Sequence, residues 1–221
     1  MLFRSRSSVN ARQIKPRPNR AMKLTSSGVT FSSALRSILR SDPDVLMVGE
    51  VRDLDTAKLM LEAALTGHSV FSTLHTNDAP SALTRLIDLG IEPYVIGSAI
   101  TAVLAQRLVR RLCEECRERY EPSVSDLRQL GFTQDQIDAG VAFYRKRGCA
   151  RCSNGYRGRI GVFQLLVVDD ELRGLAARRA SGEELARAAA ASGTRTLWQD
   201  GLAKVAAGQT TIDELNRVLR G

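Results

Sequence analysis

The spacing of hydrophobic and polar positions changes period several times along the chain, and each change predicts an element. Phe31, Ala34, Leu35, Ile38 and Leu39 repeat at helical spacing, one apolar face that Asp42-Pro43 closes. Val45-Leu46-Met47-Val48 is a short apolar run between Asp-Pro-Asp and Gly-Glu, the pattern of a strand covered on both faces. A helix follows, with Asp53 or Asp55 as N-cap and Gly67 beyond its end. Val70-Phe71-Ser72-Thr73-Leu74 is a second buried strand that His75 ends. Strand, helix and strand make a right-handed βαβ unit, whose reactive residues belong at the strands' C-terminal ends. Glu50 and His75 both fall there.

Further along, Asp78 and Pro80 open a helix that closes at Gly90, and Pro93 opens an apolar helix through about Ala105. Thr133 and Gln136 form a capping box for a helix running towards Arg147, and Ile160–Val168 reads as a strand. Ser181 with Glu184 and Thr211 with Glu214 are two more capping boxes, with Gly193 and Gly208 as stops. Leu197, Trp198, Leu202 and Val205 turn inward in this helical C-terminal region. The organisation expected is a basic, poorly ordered arm over 1–27, an α/β core over 28–111, a cysteine-bearing region over 112–168 and a helical region over 169–221.

Charge narrows the partners. A net charge of +8 and a pI near 9.8 favour nucleotide, nucleic acid or anionic lipid without choosing among them. No acidic residue precedes Asp42, so the first residues are either a mobile arm or an arm that binds phosphates. No apolar run is long enough to span a membrane and no signal-peptide core is present, so the chain reads as cytoplasmic. A nucleic-acid binder remains an alternative, but it lacks the interleaved aromatics of a stacking surface.

The four cysteines come as Cys113-Glu-Glu-Cys116 and Cys149-Ala-Arg-Cys152. Two such knuckles let four thiolates converge on Zn²⁺, and a set of four closes the coordination sphere, making the ion structural. Two disulfides or simple reduced thiols are the other readings. The insertion between the pairs is longer than the usual ribbon spacing.

Several motifs together carry a resemblance: Asp42-Pro-Asp-x-x-x-x-Gly-Glu-Val-Arg-Asp, Thr66-Gly-His-x-x-x-Ser-Thr-Leu-His-Thr-Asn, Gln106-Arg-Leu and the cysteine pairs. From about Gly28 to Arg220 the chain resembles the C-terminal part of the type II secretion and type IV pilus assembly ATPases. The resemblance implies part of a RecA-like P-loop NTPase core with a tetracysteine zinc insertion. It implies a cytoplasmic hexamer that uses ATP and Mg²⁺ and works against an inner-membrane platform protein, with membrane association only through partners. It also implies that Glu50 directs the attacking water and that His75 senses the γ-phosphate, with Arg52 and His68 as supporting residues. Without the resemblance, Glu50 reads as a strand-end acid paired with Arg52, and His68 as a turn cap. Cys113, Cys116, Cys149 and Cys152 correspond to the zinc ligands of the assembly ATPases.

The 221 residues contain no G-x-x-x-x-G-K-[ST], the loop whose amides and Lys hold phosphates. The chain is therefore expected to be a fragment, a truncated product or a chain with a misassigned start, and to bind ATP weakly if at all. A non-catalytic ring module, joining homo-hexamers or mixed rings with a full-length homologue, is the alternative.

Overall fold

The computed structural model of the protein describes residues 2–3, 36–41 and 43–220. The arm expected over 1–27 lies outside these residues apart from Leu2 and Phe3, and so does the first part of the helix expected from Phe31. Residues 36–39 are helical.

The chain divides into two compact units, Met1–Leu104 with Leu165–Gly193, and Ala105–Gln164 with Thr194–Gly221. The contiguous division at 111 and 168 does not match this one. Two strands run on from one unit into the other, and the C-terminal helices split between the two cores. Local periodicity shows that a helix has an apolar face but not which core that face joins.

In the first unit, β1 (Leu2–Phe3), β2 (Val45–Val48), β3 (Ser69–Ser72) and the near ends of β4 (Ile100–Leu112) and β7 (Tyr156–Val167) form a sheet of order β2-β3-β1-β4-β7. β2 and β3 are parallel, with Leu46 beside Val70 and Met47 beside Phe71. Between them lies α1 (Leu54–Leu65), capped by Asp53, whose Oδ1 accepts the Thr56 amide at 2.8 Å. It packs against β3 and buries Ala57, Met60, Leu61 and Ala64. Gly67, at φ 111°, turns the chain into β3, a conformation that any Cβ would strain.

Two expectations fail here. β3 stops at Ser72, so His75 lies beyond the strand. Among the described residues β2 is covered on one side, since Leu46 and Val48 are buried while Met47 is 80% exposed.

Asp78 accepts the Ser81 amide at 2.8 Å and starts α2 (Ser81–Asp88). α3 (Pro93–Ala99) opens on its proline, but the helix expected to reach Ala105 ends at Ala99. Ile100 is extended, and β4 follows with Val103, Ala105 and Val109 buried and Leu104 and Leu108 exposed. That is a period of two. Ile100, Thr101 and Val103 are β-branched, and stiff χ1 rotors favour the pleated backbone over a helix. α6 (Asp170–Ala177), capped by Asp169, packs on α3 so closely that a Cβ on Gly97 would sit 3.3 Å from the Arg173 carbonyl oxygen. α7 (Gly182–Ala191) carries the Ser181–Glu184 capping box.

In the second unit, β5 (Glu118–Tyr120) pairs antiparallel with β6 (Phe143–Arg145). Between them lie α4 (Val124–Leu130) and α5 (Gln134–Asp138). The Thr133–Gln136 box forms, but α5 stops at Asp138 because Gly140 takes φ 80° and the chain re-enters a strand. Phe143 is buried against the rings of Phe132 and Tyr120. α8 (Leu197–Ala206) has a capping box, Thr196 with Gln199, that periodicity did not reveal. α9 (Ile212–Leu219) is capped by Thr211, whose Oγ1 accepts the Glu214 amide, but the box does not close.

The Glu214 carboxylate instead accepts the Arg110 amide at 3.0 Å and the guanidiniums of Arg110 and Arg217. Its side chain is fully buried. Burial raises its pKa, but Arg217, Arg110 and the Arg110 amide outweigh burial and bring it to about 2. A carboxyl depressed from 4.5 contributes stability that is complete above its unfolded pKa and lost as the pH falls towards 2. The expected outcome is a loss of about 3 kcal/mol of unfolding free energy between roughly pH 4.5 and 2. Trp198, the only tryptophan, lies in this unit and reports its unfolding alone. In Glu214→Gln the acid limb should flatten; the same acid limb in that variant would show that other carboxyls cause it.

Candidate functional site

The ends of β2 and β3 are bound together beyond the strands themselves. The Val51 amide donates to the Thr73 carbonyl at 2.9 Å, and Thr73 Oγ1 donates to the Gly49 carbonyl at 2.6 Å. These two bonds straddle Glu50 and fix the backbone on either side of it. The Glu50 carboxylate takes Arg52 on Oε1 at 2.7 Å and His75 Nε2 on Oε2 at 3.2 Å. Hydrogen bonding from Arg52 is the main cause that holds its pKa below the usual carboxylate value, with His75 adding to it. Glu50 pushes the Arg52 guanidinium upward in return. The carboxylate therefore stays ionised, one third exposed, with its two partners open to solvent.

The structure thus brings together Glu50, Arg52 and His75. His75 does not end a buried strand as expected: β3 stops at Ser72 and the His75 side chain is 88% exposed. What joins it to the site is its hydrogen-bond distance to Glu50. His68 lies at the opposite end of β3, with Nδ1 3.0 Å from the Ala63 carbonyl and 3.2 Å from Thr66 Oγ1. It closes the C-terminal turn of α1. Thr73 was not singled out from the sequence; only the pairing register shows that its carbonyl and hydroxyl bracket Glu50.

In the second unit the two knuckles converge. The Arg117 amide bonds back to the Cys113 carbonyl at 3.0 Å, the Cys152 amide to that of Cys149 at 3.3 Å, and the Cys113 amide to that of Gly155 at 2.9 Å. All four side chains are free thiols, and their sulfur atoms lie within 4.8 Å of one another. Three separations are 3.9, 3.7 and 3.6 Å. Sulfurs bonded tetrahedrally at about 2.3 Å to one ion stand about 3.8 Å apart. The donor set fits a tetrahedral thiolate-bound metal ion. Burial pushes the Cys116 thiol up to about 12, while the Cys149 amide draws Cys152 down to about 7.

Residues 10–217 match the family of type II/IV secretion system proteins, and the chain belongs to that family. Among the curated relatives, it is 46% identical over 208 residues to the type IV pilus assembly ATPase PilB of Thermus thermophilus, covering 94% of this chain and 22% of the relative. It is 47% identical over 191 residues to the type II secretion system protein E of Xanthomonas campestris pv. campestris, covering 86% of this chain and 34% of the relative. The chain thus spans about a fifth to a third of these relatives. In structure it resembles the pilus retraction motor PilT with bound ADP, with TM-score 0.59, 25% identity, and coverage of 85% of this chain and 43% of PilT. The Legionella pneumophila ATPase DotB shares the fold, with TM-score 0.57, 22% identity, and coverage of 85% of this chain and 42% of DotB. No helix among the described residues is long and apolar enough to cross a membrane.

Removing the Thr73 hydroxyl should free the backbone around Glu50. Thr73→Val is expected to cost about 1 kcal/mol locally and to speed exchange of the Val51 amide, while Thr73→Ser keeps the protection. Equal exchange in wild type and Thr73→Val would remove Thr73 from the account.

Proposed function

We propose that the chain is the C-terminal part of the RecA-like ATPase core of a type II secretion or type IV pilus assembly motor, a hexameric cytoplasmic machine held at the inner membrane through a platform protein. The observation that carries this reading is the Glu50–His75 pair at the C-terminal ends of two parallel strands, where α/β enzymes place their reacting groups.

In this reading Glu50, kept ionised by Arg52, accepts a hydrogen bond from the attacking water and aligns it with the γ-phosphorus. His75 stands beside the carboxylate, where its imidazole N–H can face the γ-phosphate oxygens and register their loss on hydrolysis. Phosphoryl transfer depends on this kind of positioning more than on covalent help from the protein. Thr73 keeps the acid at its station. His68 supports the site at a distance, through the α1–β3 turn. The phosphates themselves require backbone amides and a Lys that these residues do not include. The expected result of a Mg-ATP titration is therefore a Kd weaker than about 1 mM, with no appreciable turnover. Tight binding by the 221-residue chain would overturn this account of the site.

The missing loop also favours a second reading, a non-catalytic subunit that joins a ring. ATPase assays of mixtures with a full-length homologue separate the two: a subunit that only packs into the ring lowers turnover in proportion to its share.

The ion at Cys113, Cys116, Cys149 and Cys152 is Zn²⁺ in this proposal, and structural. Four thiolates leave it no open position for substrate, so it supplies cross-linking between the two knuckles and no chemistry at Glu50. Elemental analysis should find one zinc per chain, lost in Cys149→Ser. A chelator should lower the Trp198 unfolding midpoint. Metal-free protein with an unchanged midpoint would refute the assignment.

A further inference from the structure

We propose that Cys149 and Cys152 form a reversible oxidation site, at which hydrogen peroxide converts the second knuckle to a disulfide and withdraws two of the four metal ligands. The proposal deepens the metal-site reading above and rests on it for the loss of ligands. The first observation is that the two knuckles are unlike. Cys113 and Cys116 lie in the short connection 113–117 between β4 and β5, and the Leu112 amide beside them donates to the Gln209 carbonyl at 2.8 Å. Cys149 and Cys152 lie in the longer connection 146–155 between β6 and β7, where Cys149, Ala150 and Arg151 are all exposed. Thiol oxidation follows thiolate character and access. A cysteine that ligates a metal is deprotonated, so access decides among the four. Cys149 is the exposed one, Cys116 and Cys152 are half-buried and Cys113 is buried. Peroxide therefore reaches Cys149 first.

The second observation is a resolving thiol within reach. Cys149 Sγ stands 3.6 Å from Cys152 Sγ and 3.9 Å from that of buried Cys113. A C-x-x-C pair is also the spacing that redox-active disulfides use. The Cys149 thiolate attacks the peroxide: an S–O bond forms, the O–O bond breaks and hydroxide leaves, giving a sulfenic acid. The Cys152 thiolate then attacks that sulfur: an S–S bond forms, the S–O bond breaks and a second hydroxide leaves. Two thiolates have lost two electrons to one peroxide, which ends as two waters once solvent protonates the hydroxides. The sulfurs must close to about 2.05 Å, a movement that the loop 146–155 takes up. Cys113 and Cys116 are then two ligands of a site built for four. Exposed ion pairs such as Glu115–Arg151 tie the two knuckles weakly. In the cytoplasmic setting proposed above, a disulfide made by peroxide and undone by thiols is of the transient, sensing kind.

The test uses the zinc-loaded 221-residue chain, its metal content measured first. Hydrogen peroxide is added while a chromogenic chelator follows metal release, and samples are alkylated and digested with trypsin. Cleavage after Arg147, Arg151 and Arg157 puts Cys149 and Cys152 on separate peptides, whereas Cys113 and Cys116 share the peptide 112–117. The three kinds of pairing are therefore distinct by mass. At half release of the metal, the link between peptides 148–151 and 152–157 should exceed every other cysteine link about fivefold or more. A thiol reductant should then restore both the thiols and the capacity to take up zinc. A Cys113–Cys116 disulfide or a cross-knuckle link formed first, metal lost without any disulfide, or a disulfide that leaves the metal in place would each overturn the proposal. A chain that carries no metal overturns the zinc reading alone, and Cys149–Cys152 must still be the first link to form in it.

Discussion

The parallel register of β2 and β3 is the constraint on which the Glu50–His75 edge depends. Each residue of Val45–Val48 pairs with one of Ser69–Ser72 in step, and the pairing continues through Thr73 to Gly49 and Val51. Because side chains alternate with a period of two, a slip of β2 by one residue would turn Leu46 and Val48 away from the core and expose them. The same slip would separate Glu50 from His75. The burial of Leu46 and Val48 in step with Val70 therefore sets the position of a solvent-facing carboxylate.

A comparable economy operates in the second unit. The buried Glu214 carboxylate satisfies the Arg110 amide and two guanidiniums, while Arg110 also lies over the Tyr156 ring, whose hydroxyl bonds to Thr211. A buried ion pair of this kind is not a large net source of stability, but breaking it leaves a charge without compensation. Its value lies in specifying which turn of α9 faces β4. The Thr210 hydroxyl, bonded to the Arg110 carbonyl, adds a second point of register.

Sequence periodicity revealed the elements whose signals are local. Asp53, Thr133 and Ser181 cap helices as their neighbours suggested, and Gly67, Gly90 and Gly193 occupy the left-handed region at helix ends. Signals that depend on partners were not legible. Pro93–Ala105 looks apolar and helical until β4 finds neighbours on both sides and the β-branched residues settle into a sheet. Thr211 and Glu214 have capping-box spacing, yet two arginines compete successfully for the carboxylate. The Glu50–His75 contact joins residues far apart in the chain and follows from register alone, while the thiol cluster was legible because each knuckle is local and only their meeting is not.

The Asp53 cap also sets the sign of the local field. The positive end of the α1 dipole opens beside Glu50, where it could attract an anion, but Asp53 and Asp55 place two carboxylates on that first turn and Asp53 occupies the Thr56 amide. Glu50 adds a third carboxylate a few residues earlier, with Arg52 paired to it at 2.7 Å, and this rim leans towards cations. A bare polyphosphate approaching it meets repulsion at low ionic strength, whereas one already chelated by a divalent ion does not. Any anion reaching this rim therefore meets less repulsion when it carries a divalent cation with it.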